Sequence, residues 1–237
     1  SFFRPGENWY TANEPLNTEA KTSGFANAKA LKTALVFTAQ PWLKFRKRNG
    51  VKMPIANTSP EFKLTYNAGW AGVLQSTTNF QQLEIGVKHD FKVGVRATID
   101  FNLEAGSFLR SSNLQFMDFK HFNGGLTEIA PLNVANNYRL LDYYIYSTKN
   151  SYVSLFSHFR FRKLLFTHIP IVRISGVKEN LFLNYLKTDF SPNYFEVGYT
   201  IDNIFRFFRL EFVQSFNDFT PNQFGIRIGV STAIGNN

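Results

Sequence analysis

Between Glu61 and Ala105 three runs alternate apolar and polar side chains, and this period of two constrains the chain more than any other feature. EFKLTYNAGW sets Phe62, Leu64, Tyr66, Ala68 and Trp70 against Glu61, Lys63, Thr65, Asn67 and Gly69. QLEIGVKHDF sets Leu83, Ile85, Val87, His89 and Phe91 against Gln82, Glu84, Gly86, Lys88 and Asp90. After a turn expected near Lys92, VGVRATIDFNLEA sets Val93 through Ala105 against Gly94 through Glu104 in the same way. Successive side chains of a strand point to opposite faces, whereas a helix would repeat every 3.6 residues, so these segments read as strands with two chemically different faces. Phe195, Val197, Tyr199 and Ile201 repeat the pattern, as do Phe224, Ile226, Ile228 and Val230. Less regular strands are expected at 28–40, 152–162, 180–187 and 206–216, which makes nine. In KLLFTHIPIVRISGVKE, Pro170 and its β-branched neighbours argue against a helix.

Alternation alone fits both a sandwich and a barrel. Strand length and face chemistry separate them. Tilted membrane strands need about 9–11 residues, while globular strands average about 5–6, and the runs here are long. Their apolar face is rich in Phe, Leu, Val and Ile; the other mixes Lys, Arg, Asp and Glu with Gly and Thr, as a water-filled lumen does. The 27 Phe and 10 Tyr fit a lipid-facing surface with aromatic girdles better than an ordinary Leu/Ala/Val core. The expected fold is therefore all-β: an antiparallel transmembrane outer-membrane β-barrel occupying 1–237 as a single domain. Up-and-down barrels of this type close with even strand numbers, so nine strands are expected to be the C-terminal portion of a larger barrel. No stretch reaches the roughly 18–20 apolar residues of a spanning helix. Ser1-Phe2-Phe3-Arg4-Pro5 lacks the features of a signal peptide, so an export signal is expected upstream.

The alternation gives way at 108–150, a stretch holding FMDFKHFNGG and too long for a routine turn. Its aromatic content argues against disorder. Either it folds back as a packed plug or it is a surface hairpin with an aromatic base. In the first case Lys120, His121, Arg139 and Asp142 become loop contacts, the charged ones pairing with lumen groups such as Glu84, Asp100 or Glu104.

The net charge of +9 suggests either a polyanionic neighbour or simply a basic, solvated surface. Its densest cluster is Lys44-Phe45-Arg46-Lys47-Arg48-Asn49-Gly50-Val51-Lys52, with Trp42 beside it. Nucleic acid could use such a patch. Its place between two spanning strands favours an interfacial hairpin instead, with Trp42 in the girdle and Lys44, Arg46, Lys47 and Arg48 meeting phosphates of lipid or lipopolysaccharide; no nucleic-acid partner is expected. His89, His121, His158 and His168 have no metal-site spacing. His89 and Asp90 point to opposite faces. The sequence shows no phosphate-cradling loop, paired-Cys motif or nucleophile elbow, so neither enzymatic activity nor a cofactor is expected.

RPGENWYTANEPLNTEAKT, FMDFKHFNGG, LLDYYIYST, NYFEVGYTIDNIFRFFRLEFV and FGIRIG together resemble the C-terminal barrel of a Bacteroidota outer-membrane family of unknown function, whose members place a carboxypeptidase-regulatory-like domain before the barrel. A more distant similarity is to the BamA/TamA assembly barrels of about sixteen strands. There a strand leads into a long loop with a Gly-Gly phrase and an Arg-Gly pair, followed by five closing strands. Here the order is kept, with Gly124-Gly125 in the loop, but the Arg-Gly pair is missing and the neighbourhood reads Tyr138-Arg139-Leu140-Leu141-Asp142-Tyr143-Tyr144. The resemblance implies an integral protein of a Gram-negative outer membrane acting in envelope biogenesis, protein assembly or transport, with outer-membrane or periplasmic assembly proteins as partners. It also implies that 108–150 lies outside the cell and that the 41–59 hairpin and the 90–94 turn lie on the periplasmic side. A passive porin or structural surface barrel is the alternative.

Overall fold

A computed structural model describes residues 29–55, 58–94, 97–125, 129–130, 136–161, 164–170, 172 and 176–230. The strands are β1 (Lys32–Ala39), β2 (Phe45–Arg48), β3 (Val51–Pro54), β4 (Glu61–Gly69), β5 (Asn79–Val93), β6 (Ala97–Asn113), β7 (Ile129–Ala130), β8 (Ser151–Phe161), β9 (Lys178–Thr188), β10 (Tyr194–Ile204), β11 (Phe208–Asn217) and β12 (Thr220–Val230). Short 3-10 turns occupy Val73–Gln75, Phe116–Asp118 and Phe166–His168. Nine long strands form an antiparallel meander in the order β1-β4-β5-β6-β8-β9-β10-β11-β12. The sheet is not closed: β7 adds a parallel pairing at Ile228 and Gly229 on the edge of β12. β2 and β3 make a separate hairpin.

The two faces of this sheet invert the usual arrangement. Asn184, Glu196, Glu211 and Ser215 are fully buried, whereas Val197 is 46 % exposed, Ile226 51 %, Ile228 59 % and Phe224 63 %. Soluble proteins place charged groups outside and β-branched ones inside. Here the polar face is covered and the apolar face is open, except at β9, where the N–H groups of Leu165, Phe166 and Thr167 cap the buried Glu179 on the apolar side. Among the described residues no second sheet packs on the apolar face, as a sandwich would require. The cover on the polar side is the segment between β6 and β8. Tyr138, Leu141 and Tyr146 of that segment form a core with Phe156, Leu186 and Tyr194 of the sheet, and Phe122 packs against it.

Pairing register explains where the segment lies. One row across the covered face reads Asp100, His158, Phe182, Gly198, Val213 and Gly225. The row on one side carries Phe156, Asn184, Glu196 and Ser215; the row on the other carries Arg160, Asn180, Thr200, Glu211 and Arg227. The two glycines of the middle row leave space that Phe182 and Leu140 fill.

Several boundaries differ from the pattern-based expectation. β5 continues through Lys92 to Val93, so the strand ends at Val93 and not at Lys92; Lys92 pairs with Thr98, and ladder bonds outweigh its polar character. β6 runs on to Asn113, so the intervening segment begins at 114 rather than 108. β1 begins at Lys32 rather than 28. The phrase RPGENWYTANEPLNTEAKT lies outside the described residues, as does Val95.

Candidate functional site: a loop latched to the covered polar face

Besides the ion pair of Asp118 with Lys32 of β1, the 114–150 loop is held by two clusters of polar contacts. At the first, Glu196 of β10 presents its carboxylate to the chain at Tyr138-Arg139-Leu140. The backbone N–H of Arg139 donates to both oxygens at 2.8 and 2.9 Å, and that of Leu140 to Oε1 at 2.7 Å. Tyr194 Oη donates to the same Oε1 at 2.8 Å, and Asn184 Nδ2 to Oε2 at 2.9 Å. A buried carboxylate with this many donors is compensated in place, and charged hydrogen bonds of this kind are about twice as strong as neutral ones.

The Arg139 side chain is 1 % exposed. Its guanidinium lies over the Phe182 ring at 4.2 Å from the centroid, donates from Nη2 to His158 Nε2 at 3.2 Å and from Nη1 to the Asn137 carbonyl. Burial pulls Arg139 below the ordinary guanidinium value, while Glu211 and Glu196 pull it back up; a guanidinium stays charged throughout. Arg209 Nε pairs with Asp202, and Arg227 Nη1 lies 3.9 Å from Glu211 Oε2. Alongside lies a cavity of ≈ 100 Å³ lined by Arg139, His158, Arg160, Asp202, Arg209 and Glu211, among other residues.

Glycine makes the fit possible. A Cβ at Gly198 would lie 2.0 Å from Phe182 Cζ, displacing the ring that supports Arg139; one at Gly225 would lie 2.7 Å from Leu140 Cδ2. On the loop side, a Cβ at Gly124 would lie 2.6 Å from the Leu141 carbonyl oxygen. These contacts give the alternating glycines of β10 and β12, and the first of the Gly-Gly pair, a steric reason.

The second attachment is at Lys120. Its Nζ sits 2.5 Å from Glu84 Oε2, 3.5 Å from Glu104 Oε2 and 5.0 Å from the Tyr152 ring centroid. Tyr152 Oη donates to Glu84 and accepts from Gln82 Nε2 at 3.1 Å. Lys120 and Thr148 exchange backbone hydrogen bonds at 2.9 and 3.1 Å, tying the two ends of the loop together. Next to them His121 bridges the Phe116 carbonyl (Nε2, 2.9 Å) and Ser147 Oγ (Nδ1, 2.7 Å). A carbonyl can only accept, so Nε2 carries the proton; burial lowers the His121 pKa and favours this neutral form.

Sequence reasoning grouped Lys120, Arg139 and Asp142 with Glu84, Asp100 and Glu104. The structure brings Lys120 together with Glu84 and Glu104. It sends Arg139 to β8–β11 instead, and Asp100 is bound by Arg160 at 2.6 Å. Asp142 lines a separate cavity of ≈ 290 Å³ at the loop's rim with Tyr146, Thr188 and Asn217. Trp42, Lys44, Arg46, Lys47 and Arg48 lie on and beside the β2–β3 hairpin, remote from the loop at the opposite ends of the strands. Glu196, Arg209, Glu211 and Arg227 were not anticipated. Their signal was present, since each occupies a polar-face position of an alternating strand, but which of them meets the loop is fixed by register. Among the described residues no group of three or more His, Cys, Asp and Glu has metal-binding geometry.

An antiparallel sheet with an apolar open face, a polar covered face and a long loop latched by a buried Arg and carboxylate defines the class. The chain belongs to the family of unknown function DUF5686, matching its C-terminal domain over residues 1–201. No curated protein and no solved structure matches the chain.

Proposed function

We propose that this domain is the C-terminal part of an integral outer-membrane β-barrel of a Gram-negative bacterium, with the open face against hydrocarbon, the covered face lining the lumen and the 114–150 loop as its plug. The observation that carries this reading is the inversion of burial: Glu196 and Glu211 fully inside, Val197, Phe224, Ile226 and Ile228 outside. Water would penalise that apolar face, whereas lipid favours it. Unpaired backbone groups in hydrocarbon cost several kcal/mol each, so further strands complete the wall beyond β1 and β12.

The plug supports a role in envelope biogenesis, protein assembly or transport rather than passive diffusion, and the Bacteroidota and BamA/TamA resemblances point the same way. Partners on this reading are outer-membrane lipid, lipopolysaccharide and assembly proteins of the envelope, with no chemistry catalysed and no nucleic acid bound. Withdrawing Arg139 would strand Glu196 and Glu211 in a buried setting, so opening requires a partner or client that replaces those contacts.

Planar-bilayer conductance tests this. The native protein is expected to show no steady conductance, and depleting it in cells is expected to lower other barrel proteins. A permanently open channel, with other barrel proteins unchanged, would replace this reading with that of a passive porin.

A further inference from the structure

At the strand ends opposite the 114–150 loop, the chain makes an excursion that closing a meander does not require. At this end β10 and β11 are joined by 205–207 alone, only three residues separate Val93 of β5 from Ala97 of β6, and the third connection, from Phe161 to Lys178, is longer. Membrane barrels keep the turns on one side short and elaborate the other. Between β1 and β4, however, a second ordered hairpin is built. Phe45 pairs with Pro54, Arg46 with Met53, Lys47 with Lys52 and Arg48 with Val51, and the pairing continues with an Ile55 N–H to Lys44 carbonyl bond of 2.7 Å. Its turn is Asn49-Gly50, both at positive φ (48° and 81°), as a two-residue primed turn demands. Ser59 Oγ and Thr58 Oγ1 accept from the Trp42 and Lys44 N–H groups at 3.1 and 3.0 Å, fixing the stem. Every residue of both strands is exposed.

The charge on this hairpin is of one sign. Gln40 to Pro60 contains Lys44, Arg46, Lys47, Arg48 and Lys52 and no Asp or Glu. Among the described residues none of these five cations has a carboxylate partner. Directly paired residues share a face, so Lys44, Arg46 and Arg48 stand beside Ile55, Met53 and Val51: three cations interleaved with three apolar side chains. Trp42, 61 % exposed, packs edge-on against Phe62 at 6.0 Å, joining the stem to the apolar open face of the sheet. A surface that is cationic and apolar at once, continuous with a lipid-facing belt, matches an interface of acyl chains and phosphates; an acidic protein patch would satisfy the cations and leave Val51, Met53 and Ile55 in water.

We infer that the β2–β3 hairpin is a recognition element for anionic phospholipid, gathering phosphatidylglycerol-type headgroups around the base of the barrel in the leaflet facing away from the plug. This rests on the barrel reading above. Cations near an anionic surface attract it strongly and the attraction fades within the Debye length, about 8 Å at physiological salt and about 3 Å at 1 M.

The full-length protein is refolded into vesicles of phosphatidylcholine with a minor fraction of phosphatidylglycerol, in two single-tryptophan forms, any tryptophan outside this domain being replaced by Phe. One keeps Trp42 (Trp9→Phe, Trp70→Phe); the other keeps Trp70 (Trp9→Phe, Trp42→Phe) at the opposite end of β4. Either lipid is supplied brominated in its acyl chains at a matched mole fraction. Trp42 is expected to be quenched about two- to three-fold more by the brominated anionic lipid, and Trp70 equally by both. The preference is expected to vanish at 1 M salt and in Lys44→Gln/Arg46→Gln/Lys47→Gln/Arg48→Gln/Lys52→Gln. Equal quenching of Trp42 by both lipids would overturn the lipid preference. A Trp42 unquenched while Trp70 is quenched would make the hairpin a water-borne arm for an acidic protein. If Trp70 too is untouched by lipid, the barrel reading itself fails.

Discussion

Glu196→Ala is expected to release the 114–150 loop. The substitution removes a carboxylate that accepts from two loop N–H groups, Tyr194 and Asn184, and leaves the Arg139 guanidinium buried beside Arg209 and Arg227 with one counter-charge fewer. Breaking a buried, hydrogen-bonded charge arrangement from one side costs about 3–5 kcal/mol. The expected readouts are protease cleavage within 114–150 and faster amide exchange at Leu140 and Leu141, with the strands of the sheet still protected. Arg139→Ala should show the same loss. The double variant should cost clearly less than the sum, because the two residues belong to one contact network. A loop that stays protected in Glu196→Ala would show that packing of Tyr138, Leu141 and Tyr146 alone holds it.

Val197→Arg carries the second large effect. Val197 lies on the open face of β10 and is 46 % exposed. An exposed position facing water tolerates most substitutions within about 0.5 kcal/mol. At a lipid-facing position deep in the bilayer the same Arg costs about 2–4 kcal/mol. Refolding from urea into phospholipid vesicles is expected to show that loss for Val197→Arg, and far less for Arg placed at the interfacial Phe205, whose turn at 205–207 lies at the strand end. Equal and negligible costs at both positions would mean that the open face meets water.

The nine strands were legible because a half-covered sheet writes a period of two into its sequence, and both faces of β4, β5, β10 and β12 keep it. The ends were less legible. In β6 the alternation lapses over Leu109-Arg110-Ser111-Ser112-Asn113, which reads as loop, yet Arg110 and Asn113 still pair with β5. Backbone ladders continue where side-chain chemistry no longer distinguishes the faces. The loop contacts divide in the same way. Lys120 has carboxylates on the strands just before it, at Glu84 and Glu104, so pairing within the meander found them. Arg139 meets Glu196, 57 residues later, and only the registers of β8 to β12 place that carboxylate, Phe182 and Gly198 around one guanidinium. The loop packs closely on the sheet because Gly225 leaves room for Leu140 and Gly198 for the Phe182 ring beneath Arg139.

The central claim is that the apolar side chains of this sheet face lipid, and the absence of native cysteine allows it to be tested directly by single-cysteine labelling. Nitroxides placed one at a time from 195 to 201 in the vesicle-inserted protein should show a two-residue oscillation. Labels at 195, 197, 199 and 201 should collide freely with dissolved oxygen and hardly at all with an aqueous nickel complex, while those at 196 and 200 should be shielded from oxygen; Gly198 is left unlabelled because Phe182 fills the space beside it. The opposite result at 195, 197, 199 and 201, strong collision with the nickel complex and little with oxygen, would contradict the account.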